Sequence, residues 1–455
     1  MRTIYSQLVC IALVGILCVA AVVMSLGSTS CKSAGDDVPK TFEELEKHER
    51  INKEDTSRVA IYKPDKCYNG YTVFSYEVGP KESRIIDMNG RILNQWDGRH
   101  HRAEYLKNDH VLLVGGGPVR ELDWDGNLVW EYAAPDKSHH DAERLANGNT
   151  VFLYREFVPV EYTSKSKDPE RAKIKLFSDV ILEVTAEKEI AFQWHQYKYF
   201  DIDWYKPKTR LKKDWTHTNT VQSLPANKWY DAGDKRFKPG NYLISLRALD
   251  TILIVDRDTG QIVWQYSGDY KGGLSGQHEP NMIKKGLSGA GNILIFDNGV
   301  EETHTGSSII LEINPVTLEV VWTYEDECFY SPYRSTVQRL PNGNTFICEA
   351  DHKRMIEVRP DGEIVWEYFV TPSWRVGRAQ RIPYDFTARL KSLKKSETDS
   401  GCAVCSGATA PTNPAKAVKK CQGCFGCKQL MPARQIGLSA NTTAQHRLKN
   451  LDCLC

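Results

Sequence analysis

The chain has 455 residues, 41% hydrophobic and 10% aromatic, enough to bury one large β-rich core or two ordinary ones. Its formal net charge of +1 excludes the basic footprint of a nucleic-acid-binding protein. That near-neutrality hides an asymmetry: from Lys391 onward ten Lys/Arg face only Glu397, Asp399 and Asp452, so a basic tail follows a net acidic body.

At the N-terminus, Arg2 precedes an apolar run from Leu8 to Leu26, which gives way to small polar residues from Gly27 to Ser30. This predicts export, to the periplasm, the medium or the outer face of a membrane. The run is long for a cleaved signal and about long enough to span a bilayer, so residues 1–31 read as a signal peptide or an N-terminal membrane anchor. Cys31 offers the cysteine of a lipoprotein site, but Ser28 stands where a leucine is usual. Residues 32–60, rich in Asp, Glu and Lys, read as a linker. A folded domain is expected over 61–375, and a Cys-rich tail over 376–455.

Within the domain one unit recurs: apolar-x-acid, a turn, a few apolar residues and a tryptophan. The copies end at Trp96, Trp130, Trp194, Trp264, Trp322 and Trp366. Each predicts a β-hairpin, because Asn-Gly and Asp-Gly supply the positive φ that tight turns need. The tryptophans are expected to pack between adjacent sheets.

A second unit, a strand, a Gly-Asn turn and another apolar strand, lies between these hairpins. Arg144-Leu145-Ala146-Asn147-Gly148-Asn149 and Arg339-Leu340-Pro341-Asn342-Gly343-Asn344 are its clearest copies. Two hairpins per repeat make a four-stranded blade, and six copies predict an all-β, six-bladed β-propeller with loop insertions. Tyr71–Tyr76 is expected to close the ring by joining the last blade. A β-sandwich is the alternative, but it leaves the repetition unexplained.

The repeat register points to a site. Five residues before the last apolar residue of each inner strand stand His101, His140, Asn219, His278 and Ser335. Inner strands line the channel of a propeller, so equivalent slots form a ring around its axis. His217 is two residues before Asn219, on the same strand face. Six residues after the Asn of three of the Gly-Asn turns stand Arg155, Arg247 and Asn298. Isolated histidines at strand entrances usually meet solvent or backbone, which is the expectation for His101, His110, His195, His304 and His352. Three converging imidazoles could also hold zinc or copper, but Arg247 beside them would repel a cation and suits an oxyanion.

The segments Trp215-Thr216-His217-Thr218-Asn219, Leu243-Ile244-Ser245-Leu246-Arg247, Gln277-His278-Glu279-Pro280 and Ile295-Phe296-Asp297-Asn298-Gly299, with His139-His140-Asp141, resemble the signature segments of the arylsulfotransferase family, in order, over roughly residues 60–375. The resemblance implies transfer of a sulfuryl group from an aryl sulfate to a phenol through a sulfohistidine, with no nucleotide donor and no cofactor. Consistently, no G-x-x-x-x-G-K-[ST] phosphate loop is present. By the same match His278 is the nucleophile, His217, Asn219 and Arg247 hold the sulfate oxygens, and His140 assists proton transfer. Thr336 and Asn298 are further substrate-binding residues. Aromatics such as Trp204, Tyr330 and Tyr333 stand in the flanking loops, to stack on an aryl group or to pack the loops themselves.

The tail departs from the family. Cys402, Cys405, Cys421 and Cys424 have zinc-ribbon spacing, but export favours disulfides equally. Residues from about 391 onward are expected to pack little against the propeller. Two other functions fit a propeller: a non-catalytic binding scaffold, which the convergent His and Arg disfavour, and a quinone-dependent dehydrogenase, which normally has eight blades.

Overall fold

The computed structural model describes residues 57–98, 100–300 and 306–394. The apolar run 8–26, most of the linker, His304 and the tail cysteines Cys402, Cys405, Cys421 and Cys424 lie outside the described residues. No helix among those described is long and apolar enough to cross a membrane.

Six antiparallel sheets follow one another, and the first strand of each touches its counterparts in both neighbours, closing a ring. These inner strands are Arg375–Pro383 in the first blade, Arg102–Tyr105 in the second, Ser138–Arg144 in the third, Thr218–Ser223 in the fourth, His278–Met282 in the fifth and Thr336–Arg339 in the sixth. The chain is a six-bladed β-propeller. The third blade runs outward through Thr150–Phe157 and Phe177–Val184 to Ile190–His195. Its turn at Gly148 has a φ of 90°, and the next blade inward in sequence turns at Gly126 with a φ of 86°, a conformation that glycine adopts without steric cost.

Ring closure differs from the expectation. Tyr71–Tyr76 does not join the last blade; it lies in Gly70–Val78, the second strand of the first blade, where Tyr71 faces Ile382 of the strand Arg375–Pro383. The last blade instead gains a fifth strand, Arg58–Tyr62, with Arg58 opposite Phe369. The first and last described strands therefore each complete a blade built mainly from the opposite end of the propeller. The sheets accordingly run from Arg58 to Pro383, past the expected limits of 61 and 375.

The six tryptophans share one structural role. Each indole N–H donates to a main-chain carbonyl in the outer turn of the next blade: Trp96 to Asp123 at 2.9 Å, Trp130 to Ala186 at 3.0 Å, Trp194 to Gly260 at 2.8 Å, Trp264 to Pro315 at 2.8 Å, Trp322 to Pro360 at 3.0 Å, and Trp366 to Met88 at 2.9 Å. The last of these bridges the sixth blade to the first. A ring that packs between sheets thus also satisfies a turn carbonyl.

The repeat's two motifs also bind each other. Within a blade the Asn after Gly donates to the acid of the outer hairpin, as Asn149 to Glu183 at 2.6 Å, Asn292 to Glu312 at 2.7 Å and Asn344 to Glu357 at 2.7 Å. An arginine of the following blade then pairs with that acid, as Arg257 with Glu183 and Arg339 with Glu312.

Trp366 is fully buried at the seam where the ring closes, whereas Trp322 is partly exposed. Trp366→Phe, which leaves the Met88 carbonyl without its donor, is expected to lower stability by about 1–3 kcal/mol. Chemical unfolding should show a smaller loss for Trp322→Phe.

Candidate active site

The inner strands of the third, fourth and fifth blades break register at one end of the channel, at His139–Ala142, Thr218–Thr220 and His278–Asn281. Beside these breaks His140, His217 and Glu279 take φ of 60°, 45° and 50°, and in the sixth blade Arg334 and Ser335 take 58° and 80°. Left-handed φ is unfavourable for residues with side chains, and such positions cluster where function re-aims a side chain. Four successive blades thus turn polar residues toward one mouth.

His278 is 3% exposed. Its Nδ1 lies 2.7 Å from Asn298 Oδ1, while Asn298 Nδ2 donates to the carbonyls of Ser331 at 2.6 Å and Arg334 at 3.2 Å. Those two acceptors fix which way the amide faces, so Nδ1 carries the proton and donates. Nε2 then holds a lone pair, which accepts the Arg334 main-chain N–H at 3.2 Å. Burial first, and then the charge of Arg247, push the His278 pKa well below the usual imidazole range, against the opposing hydrogen bond to Asn298. The ring is a neutral base with a defined tautomer.

Four more imidazoles gather in the same mouth. The ring centre of His140 lies 4.9 Å from that of His217, 5.3 Å from His101 and 4.6 Å from His139. His101 belongs to this group rather than to solvent: its Nδ1 accepts the His140 main-chain N–H at 2.9 Å. Gly377 makes room for it, since a Cβ there would stand 2.7 Å from the His101 carbonyl oxygen. Burial, followed by His139 and Arg378, pushes the His101 pKa down to about 3, and burial with His139 and His217 holds His140 well below its ordinary value. His140 Nε2 is buried without a hydrogen-bond partner. His217 Nδ1 is 2.7 Å from Asp214 Oδ2. Burial alone would raise the Asp214 carboxyl, but the His217 hydrogen bond and the nearby Arg155 hold it at about 2.

Cations complete the mouth. Arg247 follows the second strand of the fourth blade; its main-chain N–H donates to the His217 carbonyl at 3.2 Å, and its guanidinium lies 5.2 Å from the Tyr333 ring centre. Among the described residues it has no carboxylate partner, and its Nε is buried and unbonded. Beneath the histidines a crossed ion network closes the axis: Arg102 bonds Asp141 at 2.9 Å and Glu279 at 3.0 Å, and Arg378 bonds both acids from the opposite side. This floor separates the mouth from a cavity of about 170 Å³ lined by Glu104, Glu143, Gln222 and Lys284.

His140, His217, His278 and Arg247 thus come together with Asn298, whose contact is with the nucleophile candidate itself. Two expected residues face elsewhere. Asn219 donates to the Gln277 carbonyl at 2.8 Å, and Thr336 donates to the Ala379 carbonyl at 2.9 Å, so both fasten neighbouring inner strands. His110, His195 and His352 pair with Glu121, Glu156 and Glu349. Asp214 and Arg334 were missed. Asp214 stands three residues before His217, a spacing that could have marked it, whereas the Arg334 contact is made by the main chain and leaves no sequence signal. Among the described residues no group of three or more His, Cys, Asp or Glu is arranged to hold a metal ion.

Among solved structures, a protein of unknown function from Bacteroides caccae is 14% identical, with a TM-score of 0.47 over 68% of this chain and 98% of its own. A streptogramin B lyase is 13% identical, with a TM-score of 0.39 over 70% and 84%. Apo AztD from Citrobacter koseri is 10% identical, with a TM-score of 0.37 over 69% and 98%. No curated protein matches the chain. A family model described as arylsulfotransferase (ASST) matches residues 102–371, from the inner strand of the second blade to the end of the sixth, and the chain belongs to that family.

Proposed function

We propose that this sulfotransferase-family protein moves a sulfuryl group from an aryl sulfate ester to a phenol, with His278 as the covalent carrier. The observation that carries the reading is the His278 ring: neutral, proton on Nδ1 toward Asn298, lone pair on Nε2. Beside it stands the Arg247 guanidinium, which has no carboxylate to neutralise it.

In the first half-reaction Nε2 attacks the sulfur and the S–O bond to the aryl oxygen breaks. The aryl oxygen leaves as a phenolate beside the Arg247 guanidinium and takes its proton from solvent. The imidazole becomes a cation that keeps Nδ1–H, and the Asn298 oxygen remains its acceptor. Charge in such a loose transition state spreads over the sulfuryl oxygens, so fixed donors and cations around them do most of the work. Arg247 and His217 would supply these. The Arg334 N–H must give up Nε2 as the donor arrives, and it can then donate to a sulfuryl oxygen. In the second half-reaction a phenol gives its proton to His140, the proposed base, and attacks the same sulfur; the N–S bond breaks, the His278 ring is neutral again, and His140 returns the proton to solvent. The proposed route needs no nucleotide donor and no metal.

His278→Asn is expected to abolish turnover in a chromogenic assay with an aryl sulfate and a phenol, and wild-type protein quenched with donor alone should carry a sulfate adduct on His278 by mass spectrometry. An adduct elsewhere, or full activity in His278→Asn, sinks the carrier role. His217→Asn should slow transfer by roughly 10²- to 10³-fold, as loss of one oxyanion donor does.

Asp214 holds the His217 ring through one charged hydrogen bond. Asp214→Asn should therefore cost about 10- to 100-fold in kcat with little change in KM. A raised KM with kcat unchanged would show lost ground-state binding instead.

The acid limb of kcat/KM for the donor half-reaction should lie below pH 6.5. A base whose pKa is depressed in the folded protein stays unprotonated, and so active, as pH falls past its ordinary value. Arg247→Ala removes a cation that depresses it and should move the limb upward. A limb at or above pH 6.5 in the wild type would contradict a buried neutral nucleophile.

A further inference from the structure

Arg155, Arg247 and Asn298 occupy one repeated slot in three consecutive blades, six residues after Asn149, Asn241 and Asn292. Asn298 touches the nucleophile candidate and Arg247 stands beside it, so the slot lies at the level of the reacting group. Arg155, in the strand Thr150–Phe157, takes no part in the transfer described above.

Its side chain is half-buried and makes no hydrogen bond or ion pair with any described residue. The neighbouring carboxylates are committed elsewhere. Asp179, directly opposite Arg155 across the ladder, accepts the Thr218 N–H at 2.6 Å and the Thr216 hydroxyl at 2.7 Å. Asp214 accepts from His217. Glu156 projects to the other face of the strand and pairs with His195.

Val151 and Leu153, on the Arg155 face of that strand, pack against Leu246 and Leu249 of the fourth blade, so the guanidinium emerges on the His217 side of the mouth. Phe157 continues the same face outward, with the Lys175 ammonium 3.5 Å from its ring centre. The rim there is cationic and aromatic. Asp214 lies near enough to feel the Arg155 charge, but no carboxylate bonds the guanidinium directly, so its planar fork is open to a carboxylate or sulfate.

We infer that Arg155 is a second anion subsite, and that the aryl group exchanged in this mouth carries a further anionic substituent, a carboxylate or second sulfate, in addition to the transferred sulfuryl group. The inference rests on the sulfuryl-transfer reading for the role of its substrate, but the subsite itself can be tested without turnover. With the sulfuryl end at His278 and Arg247, the second charge would reach Arg155 across His217. In a mechanism where donor and acceptor occupy one mouth in turn, the preference applies to both.

The test is calorimetric titration of the full chain with two unreactive aryl sulfonates at fixed ionic strength: benzenesulfonate, with one anionic group, and 4-sulfobenzoate, with two. The wild type is expected to bind 4-sulfobenzoate roughly 10- to 100-fold more tightly, the range of one charge-assisted pair. Arg155→Gln should bring the ratio near one. Arg155→Lys, which keeps the charge without the fork, should retain part of it, and Arg247→Ala should weaken both ligands together. A wild-type ratio near one, a ratio unchanged in Arg155→Gln, or binding of neither ligand overturns the inference. If the wild type transfers sulfuryl from 4-nitrophenyl sulfate while the ratio is near one, the subsite fails and the function stands. If the ratio behaves as expected but no aryl sulfate is turned over, the function fails and the subsite stands.

Discussion

A propeller is stable only if its ring closes, and here closure depends on an indole N–H repeated six times. Each blade is a small, strongly twisted sheet that cannot bury both its faces alone. The tryptophan at the end of each outer hairpin fills the gap to the next sheet and donates to the turn carbonyl it finds there. Because the acceptor is main chain, the bond sets the distance between blades whatever residue occupies the turn, which is why Asp123, Ala186, Gly260, Pro315, Pro360 and Met88 serve equally. The seam has a further device, the crossed strands Arg58–Tyr62 and Arg375–Pro383.

Fixed spacing on the rim is what allows irregularity at the axis. Inner strands held from outside can tolerate left-handed residues and broken register at one end, where an unsupported strand would slip. The distorted segments at His140, His217, Glu279 and Arg334 are therefore the inward counterpart of the regular outer hairpins. Below them the network of Arg102, Asp141, Glu279 and Arg378 ties together inner strands of the first, second, third and fifth blades. It consumes those two arginines on carboxylates and leaves Arg155 and Arg247 as the uncommitted cations above.

The blades, the packing role of the tryptophans and the gathering of His140, His217 and His278 were legible because each recurs at a fixed register, and repetition separates a ring of residues from a scatter of single ones. Position within a bulge was not legible. A strand read as regular puts Asn219 and Thr336 on the channel face. The fourth inner strand shifts by a residue at that end, and a shift of one exchanges the two faces, which sends Asn219 to the Gln277 carbonyl; the sixth stays in register, and Thr336 bonds the Ala379 carbonyl of the adjoining inner strand. His101 was undervalued for a related reason: its place in the ring slot was visible, but not the glycine at 377 that lets it come close. The pairing of Tyr71 with Ile382 joins residues near opposite ends of the domain, and no local pattern announces such a partner.

The electrostatics of the mouth follow from which groups are paired. Burial first, and then neighbouring charges such as Arg247 and Arg378, hold His278, His140 and His101 below the usual imidazole range. Neutral rings keep lone pairs available, while the unpartnered guanidiniums keep the local field positive. A nucleophile that were itself cationic could not attack, and a mouth that were itself neutral would not draw in a sulfate. The arrangement meets both requirements by assigning charge to arginine, whose pKa lies too high to titrate, and reactivity to histidine, whose charge burial can suppress.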